Sequence, residues 1–191
     1  DTKFLLVGSI PLFTLNNIKD FKKIEFPYLI PSKKFKKKYE FESNKINIGL
    51  SWKTTSDRSQ EQHRNIEIQN FDFLFNNPHI NIHNLQFGEI KKEILFFKKN
   101  ASNFIYKENF DYFNDLEALS TLINKLDLVI TVQNTVAHLC GALNQKFIAL
   151  IQRNCRFNWS EKGLYTPWYK SAVILRNSEK DFFNNKKAFQ Q

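Results

Sequence analysis

The sequence has 191 residues, a formal net charge of +9, 42% hydrophobic residues and 25% charged residues. This composition is typical of a globular domain and excludes a disordered tail. No apolar run approaches the roughly 18 residues of a membrane-spanning helix, so no transmembrane segment is predicted. Two cysteines are too few for a disulfide framework. A cytoplasmic setting is therefore expected, with the inner face of the membrane as a second location.

Residues 1–44 are predicted to be the end of an N-terminal domain followed by a linker. They contain the apolar piece SIPLFTL, two prolines in FPYLIP and the lysine run KKFKKKY. A lysine run of this kind is more often a solvated linker than a binding surface, so no nucleic-acid partner is predicted. Binding of RNA or DNA by these lysines is a weaker alternative. Because the chain starts at Asp1 and contains no Met, we expect it to be a fragment of a longer protein.

Residues 45–176 alternate between patterns that predict strands and patterns that predict helices. In chain order they are the strand INIGLSW (46–52), the helical NFDFLF, the strand INIHNLQF (80–87), the helix EIKKEILFFKK, the strand NFIYKE, the helix DLEALSTLINKL (115–126), the strand DLVITV, a helix from about 135 to 143, and the strands KFIALI (146–151) and AVILR (172–176). This alternation predicts an α/β fold with a Rossmann-like, doubly wound parallel sheet. Residues 177–191 are expected to form a C-terminal tail or helix.

The segment TVQNTVAHLCGAL (131–143) is a junction between a predicted strand and a predicted helix. Ligands of doubly wound sheets bind outside the carboxyl ends of the strands. Asn134 or Thr135 is a plausible N-cap, and the unpaired N–H groups of the first helical turn favour an anion such as phosphate. The alternative is that Thr135 only caps the helix while water takes the other donors. His138 could donate to a phosphate oxygen or be an ordinary helical residue.

Three further residues are expected at the same edge of the sheet. Lys53 follows the first strand, where a cation could meet a diphosphate. Gln86 ends the second strand, where an amide could reach a base or a sugar. Asp115 precedes a helix and either caps it or accepts a hydrogen bond from a ribose hydroxyl; capping alone is the better interpretation.

Several familiar catalytic and cofactor motifs are absent from the sequence. It has neither G-x-G-x-x-G nor G-x-x-x-x-G-K-[ST], and it has no nucleophile elbow, no H-E-x-x-H and no His/Cys cluster with metal-ligand spacing. These absences argue against the commonest hydrolase and metalloenzyme classes. No metal site and no cofactor are predicted.

A set of segments taken in order resembles a known family. The segments are IPLFTL, INIGLSWK, RNI, NLQFGE, FNDLEALSTLINKLDLVITVQNTVAHLCGALNQKFIALI, FNW and PWYKSAVILR. They resemble the C-terminal, donor-binding half of bacterial glycosyltransferases that are often joined to tetratricopeptide repeats. Those enzymes are similar to glycosyltransferase family 9, the heptosyltransferases, and more distantly to the O-linked N-acetylglucosamine transferases. The most specific block covers residues 113–151.

The resemblance implies a GT-B arrangement, in which two Rossmann-like domains face a cleft and the C-terminal one holds the nucleotide-sugar donor. It implies that donor-binding residues are Lys53, Arg64, Gln86, Asp115, Asn134, Thr135, Val136, His138 and Trp159. Arg64 would pair with a donor phosphate or be an exposed loop charge. The aromatic residues Trp159, Trp168 and Tyr169 would stack on a base or sugar, or fix their loop to the core.

Two positions depart from the family's pattern. Many members have Asp-Thr where this chain has Gln133-Asn134, and an amide pair avoids the repulsion that a carboxylate beside a diphosphate would cause. Asn144 stands where a glycine is common, and Asn tolerates the left-handed conformation of a helix C-terminus.

The resemblance implies a metal-independent glycosyltransferase that transfers a sugar from a nucleotide sugar to a hydroxyl of a glycan, a lipid-linked acceptor or a protein. The catalytic residues cannot be named, because the general base would belong to the missing N-terminal domain. The alternative is a non-catalytic interaction module derived from such an enzyme and attached to a repeat scaffold.

Overall fold

The computed structural model describes residues 14–15, 17–32, 41, 44–55, 64–152, 157–160 and 162–177. Most of the predicted SIPLFTL segment, the lysine run and the tail after residue 177 lie outside these ranges. The proposed domain boundaries stay a prediction.

The described residues form a six-stranded sheet whose neighbouring strands are all parallel. Its order is β3-β2-β1-β4-β5-β6. The strands are β1 (Ile46–Ser51), β2 (Ile80–Asn84), β3 (Phe104–Ile105), β4 (Leu128–Val132), β5 (Phe147–Gln152) and β6 (Ala172–Asn177). The predicted Rossmann-like α/β fold is therefore confirmed, although β3 is much shorter than the NFIYKE segment that predicted it.

Among the described residues, three α-helices connect these strands. They are α1 (Lys91–Asn100), α2 (Leu116–Ile123) and α3 (Thr135–Ala142), and short 3₁₀ helices cover Ile18–Lys23, Ile68–Leu74 and Phe157–Trp159. The NFDFLF segment lies in the second 3₁₀ helix. Its buried residues Ile68, Phe71 and Leu74 are three apart, which matches the three residues per turn of a 3₁₀ helix.

Helices cover both faces of the sheet, as a doubly wound fold requires. On one face, Ile94 and Phe97 of α1 pack with Leu50 of β1 and Ile82 of β2. The other face is covered by α2 and α3, which contribute Leu119, Leu122, Ile123, Val136, Ala137 and Cys140 to the second core. Both faces of the central strands are therefore buried, which explains their nearly continuous apolar sequences.

The C-terminal end of α3 is closed by two different devices. Asn144 has a φ of 55°, and the N–H groups of Asn144 and Gln145 donate to Gly141 and Cys140, which is the Schellman pattern. The N–H groups of Tyr28 and Leu29 both donate to the carbonyl of Ala142 at 3.1 Å. Residues 17–32, here called the N-terminal strap, thus lie against this helix end.

The strand order places the topological switch point of the sheet between β1 and β4. From β1 the chain proceeds to β2 and β3 on one side, and from β4 it proceeds to β5 and β6 on the other. Ser51 pairs with Thr131 near the carboxyl ends of these two central strands. Ligand crevices of doubly wound folds lie at this kind of position.

Candidate functional site

The crevice between β1 and β4 is held together by the Asn134 side chain, which is 8% exposed. Its Oδ1 accepts from the Val136 N–H at 3.0 Å and from the Thr131 hydroxyl at 3.1 Å. Its Nδ2 donates to the Ser51 hydroxyl at 2.8 Å and to the Lys53 carbonyl at 3.2 Å. Asn134 is therefore the N-cap of α3 and also joins β4 to β1. Its amide is engaged inside the protein, which favours a structural role over direct contact with a ligand.

The first turn of α3 opens at the carboxyl edge of the sheet. The Asn134 cap occupies the N–H of Val136, whose side chain is fully buried, so Val136 offers only its backbone at this edge. Thr135, the first residue of the helix, is exposed, and so is His138 one turn further on. These two side chains lie at the positive end of the helix dipole, where an anion is stabilised.

His138 contacts a cluster of aromatic residues. Its Nδ1 lies 2.7 Å from the Tyr169 hydroxyl, and its ring centre lies 5.4 Å from that of Trp159. Trp159 is fully buried and also contacts Tyr169, with ring centres 5.6 Å apart. Trp168 packs edge-on against Phe21 of the strap. The geometry favours the stapling interpretation for these tryptophans over stacking on a ligand.

Lys53 lies just past β1, as the sequence predicts, but its ammonium group points toward α1. It forms an ion pair with Glu93 in the first turn of α1 and donates to the Glu89 carbonyl at 2.7 Å. About a fifth of the side chain is exposed, 21% by area. A diphosphate in the crevice would have to draw Lys53 away from Glu93.

The Gln86 side chain is fully buried and bonded within the protein. Its Oε1 accepts from the Ser51 hydroxyl at 3.0 Å and from the N–H groups of Trp52 and Lys53, both at 2.9 Å. Its Nε2 donates to the Phe87 carbonyl. Gln86 therefore connects the ends of β1 and β2, and this arrangement favours a structural role over contact with a base or sugar.

Asp115 and Arg64 occupy the neighbouring loops. Asp115 is the N-cap of α2, where its Oδ1 accepts from the Ala118 N–H at 2.9 Å, as the capping interpretation predicts. Arg64 is half-buried. Its neighbour Asn65 accepts from the Thr54 N–H at 2.8 Å, which brings this loop back to the end of β1. A contact of either side chain with a nucleotide stays a prediction.

Gln133 was not among the residues selected as donor-binding from the sequence. Its side chain is 4% exposed, and neither amide atom has a hydrogen-bond partner among the described residues. The sequence signal was a long polar side chain directly after a buried strand.

Some other buried polar atoms without a hydrogen-bond partner among the described residues lie near the same edge. They include the indole N–H groups of Trp52 and Trp159 and the Oδ1 of Asn84. Trp52 directly follows β1, Asn84 ends β2, and Trp159 lies in the β5–β6 loop. The Ser171 hydroxyl, just before the amino end of β6, is another such atom, so these groups are not confined to this edge. Since most buried polar groups in proteins are hydrogen-bonded, the groups at this edge are candidates to bind water or a polar ligand.

Within the described ranges, no group of three or more His, Cys, Asp or Glu side chains could hold a metal ion. No helix in this part of the chain has the length and apolarity that a bilayer crossing requires.

Comparison with known proteins identifies a curated relative and a solved structure that are similar to this chain. No protein-family model matches the sequence. Protein FlbA of Caulobacter vibrioides is 28% identical over 127 residues, which are 65% of this chain and 21% of that protein. The crystal structure of a glycosyl transferase family 9 protein from Veillonella parvula matches with a TM-score of 0.56 and 14% identity.

The structural match covers 83% of this chain and 42% of the Veillonella chain. The fold of the described residues is therefore one that a glycosyl transferase family 9 protein also contains. The chain spans about a fifth of the length of its curated relative and less than half of the solved neighbour.

Proposed function

We propose that this domain binds the diphosphate of a nucleotide sugar at the crevice between β1 and β4 and forms the donor-binding part of a glycosyltransferase. The observation that carries the proposal is the position of α3. The helix begins at the switch point of the sheet and presents Thr135 and His138 there. The likeness to a glycosyl transferase family 9 structure and the sequence resemblance support the same assignment.

The chemistry of this edge suits a diphosphate leaving group. Backbone N–H groups of the first turn, the Thr135 hydroxyl and the His138 imidazole would donate hydrogen bonds to phosphate oxygens. When the bond between the sugar and the diphosphate breaks, negative charge increases on the departing phosphate. Donors already held in place stabilise that charge without reorganisation, so the reaction would not require a metal.

The complete reaction would use residues outside this chain. In the proposed enzyme, the acceptor and the general base that deprotonates its hydroxyl belong to a second domain facing the crevice. The acceptor would be a glycan, a lipid-linked molecule or a protein. Because the chain spans 42% of the solved neighbour, room for such a domain exists in a protein of that length.

The binding test uses the chain with UDP-, GDP- and ADP-glucose in titration calorimetry and thermal unfolding. We expect at least one of the three to bind and to raise the unfolding temperature. The double variant Thr135→Val, His138→Ala should bind that ligand at least about tenfold more weakly, because two hydrogen bonds to a charged group are lost.

His79→Ala is the matched control, because His79 is exposed and lies just before the amino end of β2, at the opposite edge of the sheet. It should bind like the wild type. Equal affinity in the double variant and the control would overturn the site, and failure of all three sugars to bind the wild type would contradict a donor-binding role.

A second function is a non-catalytic interaction module, and the Lys53–Glu93 ion pair is the observation that favours it. The predicted phosphate partner Lys53 is occupied within the protein. Glu93→Gln would remove the charged partner of Lys53 and leave its hydrogen bond to the Glu89 carbonyl in place. Under the transferase proposal this variant should bind the nucleotide sugar more tightly and with a steeper dependence on salt. Under the module proposal neither protein binds it.

A further inference from the structure

The Tyr169 ring lies directly against α3 at Gly141. A Cβ atom on residue 141 would overlap Cδ1 of Tyr169, so any residue larger than glycine would displace the ring. Gly141 is three residues after His138, which places the two positions on one face of the helix. Because Gly141 has no side chain, the Tyr169 ring can lie across α3 and contact His138.

The contact between Tyr169 and His138 is a short hydrogen bond between the phenol oxygen and Nδ1, at 2.7 Å. The two rings stand nearly edge-to-face, with centres 5.8 Å apart, and Trp159 contacts both of them. The imidazole plane is thus restricted by a buried indole on one side and a hydrogen bond at one nitrogen.

The direction of this hydrogen bond follows from the chemistry of the two groups. Burial, the largest effect, raises the pKa of Tyr169 to about 12, and a side-chain hydrogen bond with Asn158 opposes this increase, so the hydroxyl keeps its proton. A protonated phenol is a better donor than acceptor, and a neutral imidazole nitrogen without hydrogen is a good acceptor. At 2.7 Å the hydroxyl is therefore the donor and Nδ1 the acceptor.

Asn158 is itself held in place. Its backbone carbonyl accepts from the Thr166 hydroxyl at 2.7 Å, and the Thr166 oxygen in turn accepts from the Trp168 N–H at 3.2 Å. Hydrogen bonds within the β5–β6 loop therefore fix the backbone of Asn158, whose side chain contacts Tyr169 and, through it, His138.

We propose that Tyr169, supported by Asn158, is a positioning residue that holds neutral His138 in the tautomer with its hydrogen on Nε2. An imidazole whose Nδ1 accepts a hydrogen bond must carry its hydrogen on Nε2 when it is neutral. His138 then offers a donor at the start of α3, the kind of group that a phosphate oxygen requires. A role for this donor in phosphate binding rests on the proposed function, whereas the tautomer of His138 does not depend on it.

The tautomer is measured without any ligand by long-range proton–nitrogen NMR of histidine-labelled protein at about pH 8, where an ordinary imidazole of pKa about 6.5 is neutral. Loss of a signal set in His138→Gln assigns the resonances. We expect a single tautomer with hydrogen on Nε2 in the wild type and a mixture of tautomers in Tyr169→Phe. Hydrogen on Nδ1 in the wild type, or an unchanged spectrum in Tyr169→Phe, would overturn the proposal.

Tyr112→Phe is the matched control. Tyr112 is also buried, and its hydroxyl accepts from the Lys107 N–H rather than contacting His138. Tyr112→Phe should leave the His138 signals unchanged. The decrease in its unfolding temperature measures how much stability is lost when a buried phenol hydroxyl is removed. A change in the His138 tautomer in this control equal to that in Tyr169→Phe would overturn the specific role of Tyr169.

A second measurement, with UDP, GDP and ADP as probes, tests whether the His138 tautomer contributes to anion binding. For a nucleotide that binds the wild type, Tyr169→Phe should weaken binding about three- to tenfold, and Tyr112→Phe should not. Equal affinities in the two variants would overturn the link between the tautomer and anion binding. If none of the three binds the wild type, the proposed function fails, while the NMR spectrum still decides the tautomer.

Discussion

The Asn134 amide donates to the Ser51 hydroxyl at 2.8 Å and thereby joins two positions that are 83 residues apart in the sequence. Ser51 in turn donates to Oε1 of Gln86 at 3.0 Å. Polar side chains at the ends of β4, β1 and β2 therefore form one hydrogen-bonded chain across the crevice. This chain fixes the start of α3 relative to the sheet.

Replacement of Asn134 by Ala should cost more stability than replacement of Asp115 by Ala. Both residues are N-caps of eight-residue helices, but only Asn134 is also bonded to Ser51, Thr131 and the Lys53 carbonyl. We expect a loss of about 1 kcal/mol for Asp115→Ala and about 2–3 kcal/mol for Asn134→Ala. Urea unfolding measures both, and equal losses would show that the bonds across the crevice contribute nothing beyond the cap.

Replacement of Gln86 by Met should destabilise the domain by about 2–4 kcal/mol, because two buried donors and one partly buried donor lose their acceptor. Gln86→Glu should also be destabilised at neutral pH, because it buries a negative charge and sets a carboxylate oxygen against the Phe87 carbonyl. If Gln86→Met is as stable as the wild type, Gln86 is not needed to connect the strand ends.

Gln133→Met should leave the free energy of unfolding unchanged or raise it by up to about 2 kcal/mol. Its amide is buried without a partner among the described residues, and an apolar side chain of similar length removes that cost. The same change should weaken nucleotide-sugar binding if the amide contacts the ligand. A marked loss of stability in the ligand-free protein would indicate that the amide has a structural partner, such as a bound water.

The domain should lose stability as the pH falls through the range between 6.5 and 4 because of His83. The side chain is 3% exposed and lies 2.9 Å from the Asn47 Oδ1. Burial, assisted by the positive charge of Lys107 and opposed by Asp127, lowers the pKa of His83 from 6.5 to about 4. The unfolded chain therefore binds more protons in this range, which favours unfolding as the pH decreases.

A shift of this size corresponds to about 3 kcal/mol. Urea unfolding between pH 7 and pH 4 measures it, with His83→Gln as the control, since its amide can still donate to Asn47 but does not titrate. The free energy of unfolding of His83→Gln should depend less steeply on pH by a corresponding amount. Identical profiles for the two proteins would remove His83 as the cause.

The sequence was sufficient to predict the fold because each strand has its own local signal. Apolar runs such as those at 46–52 and 127–132 and the periodicity of α2 do not depend on the rest of the chain. The N-caps of α2 and α3 were also predictable, since Asp115 and Asn134 precede apolar helical segments. Asn144 adopts the left-handed backbone that its position at a helix end indicated.

The candidate site was predicted less completely, because its side chains are determined by contacts distant in sequence. Lys53 and Gln86 both lie at the expected edge, but their partners are Glu93, 40 residues from Lys53, and Ser51, 35 residues from Gln86. Nothing in the local sequence of Lys53 indicates that an acidic residue of α1 is within reach. The sequence therefore indicated which edge of the sheet carries the polar groups, but not which of these groups are already bonded to other residues of the protein.

Helix α3 is fastened at both ends by distant segments, and this has a consequence for its local stability. An isolated helix of eight residues does not persist in water. Here Asn134 binds it to β1, while the N-terminal strap donates two N–H groups to Ala142. The amides of α3 that are hydrogen-bonded within the helix should therefore exchange with deuterium only through openings that also release β1 or the strap. The last turn of the helix thus belongs to the slow-exchanging part of the domain, whereas first-turn amides without an intrahelical acceptor should exchange faster.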